Sequence, residues 1–316
     1  MRAIAVSAFR AEPELVEMPK PEPGAGEVRV RVAYTALNPC DWQAAHDSPD
    51  DETPRVFPLV VGVDFAGRVD MIGSGPNRFR VGDQVFGRTA GPVSGTGPGT
   101  YCDYTTVAQD SAVALVPPGL PLDVAAALPS AGTAAAQILE TLAFRGHESL
   151  LVVGAAGGVG SLLTQLAAAR DVRVVAAVRG DERARMTDLG AAVTIDTVYH
   201  PLETAVRELF PDGVDALADL VATDPDDFAA RAALVRAGGT ALTTRGVAGR
   251  SVLPADVTGI DFRLEPNPVL LDVLAAGAAE GVLRVPIDIE LPLEKAAQAL
   301  DRNRTGGARG KTVLVL

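Results

Sequence analysis

A glycine-rich turn between positions 154 and 160 is the part of the sequence best suited to chemistry. An apolar strand pattern, LLVVG (150–154), leads through Gly157, Gly158 and Gly160 directly into an amphipathic helix pattern. Glycines at such a turn let a phosphate approach the main chain closely, and the free amides and dipole of the helix N-terminus then bind the anion. This context predicts a dinucleotide site with the candidate contacts Gly154, Ala156, Gly157, Gly158, Val159 and Gly160.

The turn departs from the usual dinucleotide fingerprint at one position. Ala155 stands where the first glycine of the pattern is expected, which weakens the motif when it is taken alone. A tight strand-to-helix turn in an unrelated α/β protein is the alternative that the motif leaves open.

The end of the following strand indicates which dinucleotide binds. An NAD enzyme places an acid there for the ribose 2′-hydroxyl, but here Arg179 lies at that position, 19 residues after Gly160. A guanidinium suits a 2′-phosphate, and Arg183, one turn into the next helix, offers a second contact. The sequence therefore favours NADPH over NADH. In the alternative interpretation Asp181 and Glu182 are helix N-terminal acids and Arg179 is merely solvated.

The turn belongs to an alternation of apolar strands and amphipathic helices that begins after Pro117 and Pro118. Strands are predicted at 149–154, 172–178, 192–196, 214–221 and 239–244. Helices are predicted between them near 158–170, 181–189, 201–210 and 226–237. A repeated strand, helix, strand order implies a parallel sheet.

The first third of the chain shows a different pattern. Residues 1 to about 118 contain short strand patterns separated by glycine and proline, which indicate an irregular antiparallel barrel or sandwich. Loops are predicted at 47–58 and 87–100 from composition. The predicted class is α/β, with an irregular β domain at 1–119, a parallel-sheet domain at 120–265 and a C-terminal segment at 266–316.

Composition excludes several classes of function. A formal charge of −12, from 28 basic and 40 acidic residues, disfavours nucleic acid as a partner. The first 20 residues lack an apolar signal core, and no apolar run approaches the roughly 20 residues that span a bilayer, so we expect no membrane partner and a cytoplasmic location. Cys40 and Cys102 are too few for a disulfide framework or a four-cysteine zinc site.

Eight stretches in a fixed order give the chain a family resemblance that spans nearly all 316 residues. They are TALNPCDW (35–42), PLVVGVDFAGRV (58–69), FRVGDQVFG (79–87), GTYCDYTTV (99–107), PSAGTAAAQIL (129–139), VVGAAGGVG (152–160), ALVRAGGTAL (233–242) and GARGKTVLVL (307–316). The chain resembles the medium-chain dehydrogenase/reductase superfamily, in its zinc-free quinone oxidoreductase-like and enoyl reductase-like branch. The resemblance implies a GroES-like catalytic domain, a Rossmann domain and a cofactor in the cleft between them.

The resemblance also bears on metal. Zinc-dependent alcohol dehydrogenases of the superfamily have a cysteine at the position of Asn38 and a His-Glu pair at Val63 and Asp64, so we expect no zinc. Without a Lewis acid, hydride transfer to a quinone or to the activated C=C bond of an α,β-unsaturated carbonyl is favoured over alcohol oxidation. The expected cofactor is NADPH and the expected partner is a small-molecule substrate.

Several site residues follow from the resemblance. Asn38 is expected to orient the nicotinamide ring or ribose, and Thr133 to contact the cofactor, with a turn residue and a helix N-terminal hydroxyl as their alternatives. Gly246 and Val247, in a loop after a sheet strand, are expected to close over the nicotinamide. The candidate substrate pocket contains Trp42, Gln43 and Phe262, with ordinary core packing as the alternative for Trp42.

The sequence does not identify a proton donor or a single function. Related enoyl reductases use a tyrosine proton donor after the NPxD motif, whereas this chain has Trp42 and Gln43 there, so no general acid is assigned and solvent is the expected proton source. A tailoring enzyme on the same fold and a non-catalytic, crystallin-like NADPH-binding protein are the alternative functions. A homodimer is expected through an edge strand near 259–266.

Overall fold

The computed structural model describes residues 1–46, 56–91 and 98–316. Its strands, in chain order, are β1 (Arg2–Val6), β2 (Glu14–Glu17), β3 (Glu27–Ala36), β4 (Leu59–Val60), β5 (Asp64–Ile72), β6 (Gln84–Arg88), β7 (Tyr104–Ala108), β8 (Val113–Leu115), β9 (Ser149–Val153), β10 (Arg173–Val178), β11 (Val193–Asp196), β12 (Val214–Asp219), β13 (Val235–Thr243), β14 (Thr258–Asp261), β15 (Ile287–Pro292) and β16 (Lys311–Val315). Its helices are α1 (Pro39–His46), α2 (Leu122–Ala127), α3 (Pro129–Leu142), α4 (Gly158–Ala168), α5 (Arg183–Asp188), α6 (Leu202–Leu209), α7 (Pro225–Ala232), α8 (Pro268–Ala279) and α9 (Ala296–Arg304).

The chain divides into two compact units. The first contains Met1–Thr133 with Pro266–Leu316, and the second contains Ala134–Glu265. Helix α2 packs on β3, β5 and β16 of the first unit. The limits of 1–119, 120–265 and 266–316 stay predictions.

The first unit is built on a seven-stranded sheet in the order β15-β16-β3-β5-β6-β8, with β7 also paired to β3. Strand β3 is long enough to pair with β7 through Glu27–Arg31 and with β16 through Tyr34–Ala36, while its other edge pairs with β5. Apart from the parallel pair β15 and β16, these pairings are antiparallel. The predicted GroES-like antiparallel domain is confirmed.

The second unit is a parallel sheet of six strands in the order β11-β10-β9-β12-β13-β14. This is the doubly wound order in which two strand series run outward from the first strand, here β9. Strand β9 is buried throughout its length and has a neighbouring strand on each side, β10 and β12. The predicted Rossmann domain is confirmed, and the glycine-rich turn leaves its central strand.

The structure corrects some element limits and adds elements. The helix predicted at 226–237 ends at Ala232, because the chain enters β13 at Val235, which pairs with Val214. The prediction did not include α1 at Pro39–His46, where a proline at the first helical position suits a helix start. In the described residues, no helix is long and apolar enough to cross a membrane, and the cytoplasmic location stays a prediction.

Candidate functional site

Two glycines of the glycine-rich turn are required by the protein's own packing. Gly154 follows β9 with φ of +86°, and a Cβ there would lie 2.7 Å from Val221 Cγ1. A Cβ at Gly160 would lie 2.4 Å from the Gly154 carbonyl oxygen, so only glycine lets α4 approach the turn this closely. These two positions fix the path of the chain from strand to helix.

Gly157 has no such role in packing. A Cβ built on it would meet one described atom within 4 Å, the Gly154 carbonyl oxygen at 3.4 Å, and its φ of −77° is available to any residue. Gly157 is the N-cap residue of α4 and has no side chain to bond the N–H groups of the first turn. The space that a side chain would fill is therefore open in front of that turn. A pyrophosphate needs both this close approach and the free N–H groups of a helix start. Ala156, Gly158 and Val159 lie half-buried along the same turn.

Arg179 and Arg183 are both exposed near the carboxyl end of β10. Within the described parts of the chain neither guanidinium has a hydrogen-bond or ion-pair partner. The turn that carries Arg179 is held by Asp196, whose Oδ1 accepts a hydrogen bond from the Gly180 N–H at 2.9 Å. Both cations are thus available to an anion from solution.

Arg185 links α5 to the glycine-rich turn, a contact that sequence reasoning missed. Its Nη2 donates to the Ala156 carbonyl at 3.1 Å, and its Nε donates to Glu182 Oε2 at 2.6 Å. Glu182 is the buried N-cap residue of α5, and its carboxylate is paired with Arg185. No sequence pattern marks Arg185 because it is one of three arginines within seven residues, at 179, 183 and 185.

The other predicted contacts in the chain have varied surroundings. Thr133 is buried on α3. Gly246 is exposed with φ of +68°, whereas Val247 is fully buried in the core of the second unit. Phe262 is half-buried, and its N–H donates to the Thr243 carbonyl at 2.8 Å.

In the first unit, Asn38 lies in a buried polar cluster, which we call the Asn38 cluster: Asn38, Asp41, Asp64, Tyr101, Ser130 and Lys311. The Asn38 Nδ2 donates to Asp64 Oδ2 at 2.8 Å and to the Ala36 carbonyl at 3.3 Å. Its Oδ1 accepts from Lys311 Nζ at 2.8 Å. Both amide hydrogens are therefore committed within the protein, and only the second lone pair of Oδ1 is left for a ligand.

Asp64 is the acceptor around which this cluster is organised. Besides Asn38, the Ser130 hydroxyl donates to its Oδ1 at 2.6 Å and the Ser130 N–H donates to its Oδ2 at 3.2 Å. The Lys311 ammonium lies 4.0 Å from Oδ2. Burial lowers the pKa of Lys311, and the nearby carboxylates of Asp64 and Asp41 oppose that effect. A charge pair buried this completely is tolerable because hydrogen bonds satisfy both partners.

Asp41 connects the cluster to Tyr101. Its Oδ2 accepts from the Asn38 N–H and from the Tyr101 hydroxyl, each at 2.8 Å. Burial raises the pKa of Asp41 to about 7, against the opposing effect of these two hydrogen bonds. Tyr101 is fully buried, so it both packs in the core and supplies a donor.

The candidate pocket residues on α1 are described only in part. Gln43 is half-buried, and the side chain of Trp42 lies outside the described residues, as do 47–55 and 92–97 from the two predicted loops. Lys311 was not among the predicted site residues, although a lysine that opens a mostly apolar strand, KTVLV, is a recognisable signal of a buried cation with a partner.

The chain is similar to known proteins in both sequence and structure. Residues 24–118 match the family model described as alcohol dehydrogenase GroES-like domain, and residues 189–314 match the one described as zinc-binding dehydrogenase. A 2-methylene-furan-3-one reductase from Solanum lycopersicum is 31% identical over 303 residues, which cover 91% of this chain and 71% of the relative.

Two solved structures are similar along the whole chain. A quinone oxidoreductase from Coxiella burnetii has a TM-score of 0.90 and 27% identity, covering 100% of this chain and 99% of the other. A mycobacterial protein solved in complex with NADPH has a TM-score of 0.81 and 26% identity, covering 100% of both chains. The likeness extends over both units.

The raised pKa of Asp41 predicts a pH dependence of stability. The unfolded chain loses this proton near pH 3.8 and the folded chain near pH 7, so the free energy of unfolding falls as pH rises across that interval. Asp41→Asn keeps an oxygen acceptor for the Asn38 N–H and Tyr101 but does not titrate. Urea unfolding at a series of pH values should therefore show the wild type losing stability relative to Asp41→Asn between pH 4 and 7, whereas parallel profiles would contradict the assignment.

Proposed function

Because the chain belongs to the quinone oxidoreductase-like branch of the medium-chain dehydrogenase/reductase superfamily, we propose that it is an oxidoreductase that uses NADPH. Its acceptor is a quinone or the activated C=C bond of an α,β-unsaturated carbonyl compound. The observation that carries the proposal is Gly157, whose side-chain space the protein leaves open at the start of α4. The relatives named as quinone oxidoreductase and furanone reductase support the acceptor class.

The residues of the second unit fit the cofactor. The main chain from Ala156 to Gly160 would hold the pyrophosphate, and when bound the reduced nicotinamide supplies a hydride. Arg179 and Arg183 would pair with the 2′-phosphate because both are exposed and no described residue neutralises either of them. Glu182 does not compete with the phosphate for these arginines, since it is paired with Arg185. The mycobacterial relative that binds NADPH supports this choice.

The residues of the first unit suit a reaction without zinc. Zinc sites are built from thiolate, imidazole and carboxylate ligands, and Asn38 with Val63 supplies none of them. Of the three positions only Asp64 could bind a metal, and the Lys311 ammonium lies 4.0 Å from its carboxylate and 2.8 Å from Asn38 Oδ1. A divalent cation there would be repelled by Lys311. Asn38 would orient the nicotinamide through Oδ1 alone.

Substitution of Arg179 tests the cofactor assignment. Arg179→Ala should weaken NADPH binding roughly ten- to a hundredfold, since an arginine–phosphate contact contributes about 1.5–3 kcal/mol, and should leave NADH binding unchanged. Fluorescence titration with both nucleotides measures the two affinities.

Two further variants make that titration decisive. Arg170→Ala removes an exposed arginine that lies just beyond the C-terminal end of α4, and it should change neither affinity. Gly157→Ala should weaken NADPH and NADH alike without lowering the unfolding temperature, because its methyl group fills the space of the pyrophosphate. Failure of the wild type to bind either nucleotide would refute the proposed function.

Metal analysis tests the zinc assignment. Inductively coupled plasma mass spectrometry of the purified enzyme should find much less than one zinc ion per chain. Dialysis against a chelator should leave the rate of NADPH consumption with an enone or quinone unchanged. Stoichiometric zinc together with loss of activity on chelation, restored by added zinc, would show that the Asn38 cluster had been misinterpreted.

A homodimer is the proposed assembly. Strand β14 is outermost in the parallel sheet, and Thr258, Gly259 and Asp261 are exposed along it, so its free main-chain groups can pair with a second copy. Light scattering coupled to size-exclusion chromatography should give twice the molar mass of the chain. The mass of a single chain at micromolar concentration would refute this proposal.

A further inference from the structure

Arg88 is a half-buried cation adjoining the Asn38 cluster that the proposed function leaves without a role. It is the last residue of β6, and its Cα lies opposite that of Asp64 in the antiparallel pairing of β6 with β5. The Arg88 Nε donates to the Ser130 hydroxyl at 3.1 Å, and that hydroxyl donates to Asp64 Oδ1 at 2.6 Å. One side of the guanidinium is thereby fixed by a buried carboxylate through one intervening hydroxyl.

The other side of the guanidinium is open. In the part of the chain that the structure describes, neither Nη1 nor Nη2 of Arg88 has a hydrogen-bond partner, and Arg88 is in no ion pair. Asp64 does not neutralise it directly, because that carboxylate accepts three hydrogen bonds from Asn38 and Ser130 and lies beside Lys311. Arg88 therefore presents four N–H donors and an unbalanced positive charge at the end of its strand.

We propose that Arg88 binds the carbonyl oxygen of the acceptor and stabilises the negative charge that develops on it. This inference rests on the proposed function. When hydride adds to the β-carbon of an enone, the electron pair of the C=C bond moves toward the carbonyl, and its π electrons pass to oxygen as an enolate. A quinone gains its charge on oxygen in the same way. A guanidinium held in place before the reaction stabilises such an oxyanion without reorganisation.

Arg88 does not supply the proton of this reaction. A guanidinium is too weak an acid to serve as the proton donor, so the enolate carbon or the quinone oxygen takes its proton from water. This division of labour accounts for a reductase that lacks the tyrosine donor of related enoyl reductases. It also gives the acceptor a chemical requirement, namely a carbonyl oxygen conjugated with the bond that is reduced.

A binding measurement tests Arg88 independently of turnover. The probes are 4-nitrophenolate, a stable anion that resembles the reduced acceptor, and 4-nitroanisole, its neutral methyl ether of similar shape. Arg88→Met should weaken phenolate binding about tenfold or more and leave anisole binding unchanged, as followed by the visible absorption of the probe. Arg88→Lys, which keeps the charge but not the planar fork, should bind phenolate with an affinity between those of the wild type and Arg88→Met. The same intermediate affinity is expected for Ser130→Ala.

The matched control is Arg80→Met, which should bind both probes like the wild type. Arg80 is an exposed arginine of the same unit whose guanidinium has no hydrogen-bond or ion-pair partner among the described residues. Equal loss of phenolate binding in both arginine variants would overturn the proposal, because a general charge effect would then explain it. Equal phenolate binding by Arg88→Met and the wild type would also overturn it. Unchanged unfolding temperatures confirm that each variant is folded.

Kinetics with a neutral enone complete the test. Arg88→Met should lower kcat on the order of a hundredfold while the dissociation constant for NADPH stays unchanged, since the contact strengthens as charge develops. A change confined to KM, or no change, would overturn the role of Arg88 while the proposed function stands. If the wild type binds no nucleotide, the proposed function fails instead, and the phenolate titration alone decides whether Arg88 is an anion site.

Discussion

The buried contact of Lys311 with Asn38, beside Asp64, is the interaction on which the first unit depends. Strand β16 brings the ammonium, the end of β3 brings the amide, and β5 brings the carboxylate, so one cluster joins three strands of the sheet. Neither charge would be tolerated here alone, because an unpaired buried ion costs far more than a paired and hydrogen-bonded one. The same network orients the Asn38 amide, whose Nδ2 and Oδ1 both have partners within the protein.

In the second unit the comparable constraint is steric. Gly154 and Gly160 allow β9 and α4 to meet closely, and a side chain at either position would collide with the turn or with Val221. Gly157 meets no such demand from the protein. The glycines of one motif thus divide into those that the fold needs and one whose space suits a ligand. Arg185 adds a tether from α5 to the carbonyl of Ala156, which limits movement of the turn.

Much of this architecture follows from the sequence, since a strand of apolar residues leading into glycines and an amphipathic helix has few alternative folds. The apolar pattern at 226–237 did not locate the end of the helix, because Leu234 and Val235 fit either a helix face or a strand. The pairing of Val235 with Val214 places Val235 in a strand. The Asn38 cluster was only partly predictable. Asn38 and Lys311, the two most distant members, are 273 positions apart in the chain. Arg88, which adjoins the cluster, follows a phenylalanine and a glycine in a stretch that has no recognisable chemical pattern.

That separation has a consequence for biosynthesis. Asn38, Asp41 and Asp64 are translated before Lys311, whose ammonium donates to Asn38 and lies beside Asp64, by more than two hundred residues. Since domains generally fold as they are synthesised, the first unit must wait with its carboxylates hydrated until β16 arrives to close the sheet against β3. A chain interrupted before Lys311 carries every other polar group of the cluster and still cannot bury them. The cluster can therefore form only after Lys311 has been translated.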